Sequence, residues 1–367
     1  MRIHPNQRFV AAVSVATLGV LGATLLVAAG TGDSGEPNGN PVELAAVPLG
    51  RSPLPIPASN PQTAAKIELG RRLYFDTRLS ADGTVSCATC HSPTLGWADG
   101  RPTSKGIDGQ IGGRNAPSII NAAYHRTQFW DGRAASLEEQ ALGPIENPIE
   151  MGSDLTEVVN RLSEDSVYTK RFEEVFGTQV TRDGIGKAIA AFERTIISGN
   201  SPYDRYEAGD ESALNEAQKR GMEIFMDRAN CAVCHTPPTF SNGRFYNAGV
   251  GMKEDEPDSG RMAVTKRERD FGRFRVPSLR EVKETGPYFH DGSAATLEEA
   301  VALMAGGGID NPNLSSMFKV VGLANLTEQD KSDLVEFLKA LSGEYPIVDA
   351  PELPRNEAAS EVAQEKP

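Results

Sequence analysis

Cys87-Ala-Thr-Cys90-His91 and Cys231-Ala-Val-Cys234-His235 take all four cysteines of this 367-residue chain and two of its five histidines. By themselves, four cysteines could make two disulfides, and a Cys-x-x-Cys pair could be half a zinc site or a redox dithiol. The histidine directly after each pair points elsewhere. Cys-x-x-Cys-His is the attachment signature of c-type haem: the thiols bond to the porphyrin and the histidine becomes the proximal ligand of the iron. Two such motifs with no cysteine left over predict two covalently bound haem c groups, held by Cys87, Cys90 and His91 and by Cys231, Cys234 and His235.

The sequence around the motifs is duplicated. Arg114-Asn-Ala-Pro117-Ser-Ile leads to Phe129-Trp-Asp-Gly-Arg-Ala-Ala-Ser-Leu-Glu-Glu139, and Arg275-Val-Pro277-Ser-Leu leads to Phe289-His-Asp-Gly-Ser-Ala-Ala-Thr-Leu-Glu-Glu299. From Pro117 and Pro277 onward the offset is a constant 160 residues. Ser136-Leu-Glu-Glu139 and Thr296-Leu-Glu-Glu299 both read as capping boxes that start a helix. Apolar residues at helical spacing mark Asp154–Phe176, Ile185–Ile197, Leu214–Met226 and Glu328–Leu341. No alternating run is long enough for a sheet. The fold class expected is mainly α, with two tandem cytochrome c-like haem domains related by internal duplication. The first spans 62–205 and the second 206–345, joined near Asn200–Glu211.

The flanks read differently. Residues 1–30 combine a basic start (Arg2, Arg8) with the uncharged run Phe9–Ala29. This is a secretory signal cut near Ala28–Gly30, with an uncleaved N-terminal anchor as the alternative. Export to the periplasm follows from either. Residues 31–61 form a Pro/Gly-rich linker, and 346–367 a flexible tail. Apolar residues are 39% and glycines number 36, which excludes wholesale disorder. A formal charge of −13 argues against nucleic acid as a partner, and favours a basic protein partner instead.

The two copies differ where a second iron ligand would sit. Met304 lies eight residues into the helix capped by Thr296, and the residue 160 positions earlier is Pro144. A methionine opposite a histidine raises the potential of a haem, whereas proline has no donor. An isolated helical methionine is usually a core residue; here the duplication and the haem motif favour ligation. One haem is then six-coordinate and suited to electron transfer, and the other is open to exogenous chemistry. Gln140 and Glu150 lie in sequence beside the open position. There a carboxyl could move a proton between the two oxygens of peroxide and Gln140 could hold oxygen by hydrogen bonding, although a solvated loop residue is the plainer reading of Glu150 alone.

From about Leu69 to Gly343 the chain resembles the bacterial di-haem cytochrome c peroxidases, in the superfamily that includes MauG. The resemblance rests on Gly70-Arg-Arg-Leu-Tyr-Phe-Asp76, both haem motifs, Gln128-Phe-Trp-Asp-Gly-Arg133, Gly143-Pro-Ile-Glu-Asn147, Gly260-Arg-Met-Ala-Val-Thr-Lys266 and Pro287-Tyr-Phe-His-Asp-Gly292. It implies that His91 serves a peroxidatic, low-potential haem with Gln140 and Glu150 on its distal side. His235 and Met304 hold a high-potential haem. Trp130 relays electrons between them, and Asn115 with the carbonyls of Thr285 and Pro287 binds calcium. It also implies a homodimer. One departure stands out: where many members carry a histidine that caps the peroxidatic iron at rest, this chain has Ile107. His125, the nearest spare histidine, reads as a residue behind the ligands or on the surface.

The function expected is a cytochrome-c peroxidase. It reduces hydrogen peroxide to water with electrons from a small soluble cytochrome c or copper protein (cupredoxin). A MauG-like oxidase acting on a protein substrate is the first alternative. Met304 speaks against it, because a tyrosine replaces the methionine in that branch. A non-catalytic di-haem electron carrier is the second, and Pro144 speaks against it.

Overall fold

A computed structural model describes residues 48–322 and 325–353; the expected leader, the first part of the linker and residues 354–367 lie outside them. The first unit is built from helices Ala64–Phe75, Cys87–Cys90, Leu137–Glu146, Leu155–Ser163, Ser166–Phe176 and Arg182–Glu193. The second has Glu216–Glu223, running on into a wider turn at Ile224–Arg228, then Leu297–Ala305, Ser316–Gly322 and Glu328–Lys339. Phe245–Tyr246 pairs antiparallel with Phe274–Arg275, Phe245 opposite Arg275. Among the described residues no helix is long and apolar enough to cross a membrane.

Each unit hangs on a close crossing of two helices. Gly70 lies against the Ala188 carbonyl and Phe192, and Gly221 against the Asp333 carbonyl and Phe337. A Cβ at either glycine would collide with the facing backbone, so only glycine permits this approach. Two apolar cores form around the crossings, one with Leu69, Leu73, Trp97 and Phe192, the other with Phe225, Phe240, Phe337 and Leu341. Their burial, at roughly 1.5–3 kcal/mol per large side chain, is the main driving force in each unit.

The duplication holds at the level of single bonds. Gln128 N–H donates to Ala134 O at 2.8 Å, and Tyr288 N–H to Ala294 O at 2.8 Å. Ser118 Oγ donates to Gly96 O at 2.6 Å, and Ser278 Oγ to Thr239 O at 2.7 Å. Phe129 and Phe289 both hold positive φ, 67° and 70°, a conformation bulky residues adopt only when their surroundings impose it. Thr296 and Glu299 form a full capping box. In the first copy Ser136 caps Glu139 N–H, but Glu139 returns its bond to Ala135, one residue earlier.

Three expectations need correction. Asp154–Phe176 is two helices, because Asp165 accepts from Val167 N–H and restarts the second. The linker is largely exposed over its described part but anchored at its end: Asn60 is fully buried and donates to Glu138 Oε1 at 2.8 Å and to Lys187 O at 3.0 Å. The start of the tail returns to the first unit. There Trp97 Nε1 donates to Pro346 O at 2.9 Å, and Arg71 and Arg72 donate to the Asp349 and Glu352 carbonyls.

Candidate functional site: two cavities at the Cys-x-x-Cys-His motifs

Cys87–Cys90 forms a single helical turn capped by Ser86 and Thr89, with His91 N–H donating to Cys87 O at 3.0 Å. The second motif is a tighter turn, with His235 N–H donating to Cys231 O at 2.9 Å. No disulfide joins the four cysteines. His235 Nδ1 lies 3.0 Å from Phe240 O, which fixes its proton there and frees Nε2 as a ligand. Burial pushes this imidazole down to about 4, with the Phe240 and Pro277 carbonyls pulling back. Burial lowers His91 as well, against Asp99 and the Trp97 and Pro117 carbonyls. Both rings are therefore neutral at pH 7, the form that binds a metal.

A cavity of about 500 Å³ opens at the first motif, lined by Cys90, His91, Gln140, Pro144, Glu150 and Trp130 among others. A second of about 280 Å³ is lined by Cys231, Cys234, His235, Met304 and Trp130 among others. The expected asymmetry is visible in the walls. Met304, on the helix Leu297–Ala305, shares its cavity with His235; Pro144, inside Leu137–Glu146, shares its cavity with His91.

Glu150 sits on the turn that ends the Pro144 helix. Asn147 O accepts from the N–H groups of Glu150, Met151 and Gly152, and Asn147 Nδ2 donates to Glu150 Oε1 at 2.8 Å. Burial raises the Glu150 carboxyl above the usual range, with Arg133 and Asn147 only partly opposing it. Ile107 N–H donates to Glu150 O at 3.0 Å, and the Ile107 side chain lies over Gly152. The loop that lacks a histidine therefore braces the backbone that carries Glu150. Asn147 was legible only as part of a motif; its bond to Glu150 comes from the turn.

Trp130 lines both cavities, and its Nε1 donates to Asn115 O at 2.9 Å. Asn115, Thr285 and Pro287 all line the second cavity. Asn115 Nδ2 donates to Arg101 O at 2.8 Å. Among the described residues no cluster of three or more His, Cys, Asp or Glu could hold a metal ion, so any cation here depends on amide and carbonyl oxygens. His125 is not a surface residue. It lines both cavities, its Nε2 is buried without a partner, and burial together with Arg275 pushes it well below its ordinary value. Arg275 lines both cavities too, with Nη1 unpartnered and burial lowering it to about 10. Sequence reasoning missed Arg275 and also Glu193, a buried carboxyl in the first cavity.

A family model described as di-haem cytochrome c peroxidase matches residues 64–212, and one described as cytochrome c matches 218–342. Cytochrome-c peroxidase IdrP1 of Denitromonas iodatirespirans is 39% identical over 340 residues, covering 84% of this chain and 90% of that protein. The chain belongs to the di-haem cytochrome c peroxidase family. Methylamine utilization protein MauG of Methylophilus methylotrophus, from the same superfamily, is 38% identical over 306 residues, covering 82% of this chain and 89% of that protein. A crystal structure of a MauG-like protein associated with microbial copper homeostasis superposes with a TM-score of 0.73 at 35% identity, covering 82% of this chain and 95% of that one. As a di-haem peroxidase family member the protein carries covalently bound haem c. Both cavities fit that group: the second is lined by Cys231, Cys234 and His235 on a largely apolar wall, and the first by Cys90 and His91, with Cys87 on the same helical turn.

Proposed function

We propose that the protein reduces hydrogen peroxide to water at the haem of the N-terminal cavity, with electrons entering through the haem of the C-terminal cavity. The observation that carries this reading is the pairing of Met304 with His235 in one cavity against Pro144 with His91 in the other. In this reading Cys87, Cys90 and His91 hold the first haem, and Cys231, Cys234, His235 and Met304 the second. Bound there, the haems would supply the redox iron, and two electrons would be consumed per peroxide.

The chain supplies the proton handling. Glu150, held by Asn147 and raised by burial, accepts the proton of the incoming peroxide and returns it to the departing oxygen, so that two electrons and two protons yield two waters. Gln140, on the wall of the same cavity, orients the oxygens by hydrogen bonding. Trp130, common to both cavities, is the bridge between them. We assign the Asn115 amide oxygen and the Thr285 and Pro287 carbonyls to a Ca²⁺ ion, a hard cation suited to such ligands. The electron donor is a small soluble cytochrome c or cupredoxin, the assembly a homodimer, and the compartment the periplasm, in keeping with the signal-like residues 1–30.

Ile107 sharpens the test. With no histidine on that loop, the fully oxidised protein should change its haem spectrum at once on mixing with stoichiometric peroxide. An inert oxidised form that reacts only after half-reduction would overturn this. His125, whose unpartnered Nε2 faces the same cavity, would then be the group to replace.

A further inference from the structure

The glycine crossings align the two units in a second way, independent of the 160-residue offset. Phe192 faces Gly70 as Phe337 faces Gly221. The next residue in each helix lines a haem cavity: Leu338 in the C-terminal unit and Glu193 in the N-terminal one. Leucine is an ordinary wall for an apolar group. Glu193 is 4% exposed, and its Oε2 is sealed with no hydrogen-bond partner. The adjacent guanidinium, Arg194, is drawn to Glu138 at 2.8 Å instead.

The titratable groups facing Glu193 come from three other elements. They are Tyr74 of Ala64–Phe75, Cys87 of the first motif, and Glu138 of Leu137–Glu146; Arg194, on its own helix segment, is the cation among them. Cys87 no longer titrates once its sulfur is bonded to the porphyrin. A carboxyl so placed is costly to ionise, yet it lines the cavity that the covalent haem fills.

We propose that Glu193 is a positioning residue of the N-terminal haem, taking up a proton when that haem is reduced and releasing it on oxidation. The coupling is electrostatic. An ionised carboxylate beside the haem favours the more positive, oxidised state, and an added electron raises the carboxyl's affinity for protons. Burial, countered by Arg194 and reinforced by Glu138, pushes Glu193 up to about 8, so the exchange falls within a working pH range. The inference rests on haem c at the first motif and not on peroxide turnover, so either reading can fail without the other.

Potentiometric titration of each haem between pH 6 and pH 10 tests it. In the wild type the N-terminal haem potential should fall with pH around pH 8, by up to about 59 mV per unit, the one-electron equivalent of a tenfold change. The C-terminal haem should show no such step. Glu193→Gln and Glu193→Leu, which copy the polarity and the partner unit's residue respectively, should remove the slope and hold the potential at its low-pH plateau. A slope that survives both substitutions, or a wild type with none, overturns the assignment. If neither variant loads haem, the reduced-minus-oxidised infrared spectrum of the wild type decides. A protonated-carboxyl band that gains intensity on reduction, shifts in D₂O and persists in Glu150→Gln supports Glu193; its absence, or its loss in Glu150→Gln, counts against it.

Discussion

At residue 144 the N-terminal unit has a proline and at 304 the C-terminal unit has a methionine, each on a helix that walls a cavity beside its own Cys-x-x-Cys-His turn. Around these residues the frames coincide: the same serine-to-carbonyl bonds, the same left-handed phenylalanines, the same glycine crossing. The units differ at side chains that face the cavities. Pro144 stands against Met304 and Glu193 against Leu338. On the proposed reading, a duplicated scaffold was kept and its inward-facing residues were divided between two tasks, one unit admitting a ligand and the other closing its iron.

The largest expected break in this comparison is Glu150→Gln. Acid–base groups contribute about 10²–10⁴-fold, and peroxide turnover should fall by that much while both haem spectra and reduction of the C-terminal haem by donor stay unchanged. The wild-type kcat/KM profile should also carry an acid limb above the ordinary glutamate range, since Glu150 is raised by burial and its protonated form cannot accept a proton. That limb should vanish in the variant. Wild-type-like turnover in Glu150→Gln would remove it from the mechanism.

Next in size is Asp204→Ala. Arg280 and Asp204 form a bidentate pair at 2.7 and 2.8 Å, each side chain only 1% exposed, where the N-terminal unit has Ile120. Removing one partner of a buried pair costs about 3–5 kcal/mol, read as a lower unfolding midpoint in denaturant. Burial raises the Asp204 carboxyl, but Arg280 and Ser201 more than offset this and leave it below the usual range. Its contribution is therefore present above the unfolded carboxylate pKa and lost as pH falls through the folded one. Asp204→Ala should remove that part of the acid sensitivity. The smallest effect compares Gly70→Ala with Gly221→Ala. Both force a methyl into facing backbone and should destabilise by about 1–3 kcal/mol each. Similar costs would show that the two crossings carry equal weight; a neutral Gly221→Ala would mean that the C-terminal crossing is looser.

How much of this was legible in the sequence depends on where the signal lies. The haem motifs, the capping residues Ser136 and Thr296, and the Pro144–Met304 contrast are local, and an internal alignment reads them directly. The glycine crossing is not, because Gly70 and Gly221 are 151 residues apart and fall outside the 160-residue register. Glu193 ends an amphipathic helix in Ala-Phe-Glu-Arg, where a glutamate reads as solvated. Only the packing of Arg182–Glu193 on Ala64–Phe75 turns it inward. His125 and Arg275 gain their meaning from lying between two cavities whose walls come from both units. The tail's return to Trp97 was hidden by its prolines, since an extended strap and a free end have the same composition.

The central claim is that the two haems are ligated differently, and electron paramagnetic resonance of the resting, fully oxidised protein tests it most directly, recorded beside Met304→Ala. The account predicts one high-spin haem and one low-spin histidine–methionine haem in the wild type. In Met304→Ala it predicts loss of the low-spin signal and a fall in that haem's potential on the order of tenths of a volt, within the roughly 0.8 V range set by axial ligands. Two low-spin haems in the wild type, or an unchanged low-spin signal in Met304→Ala, would contradict it.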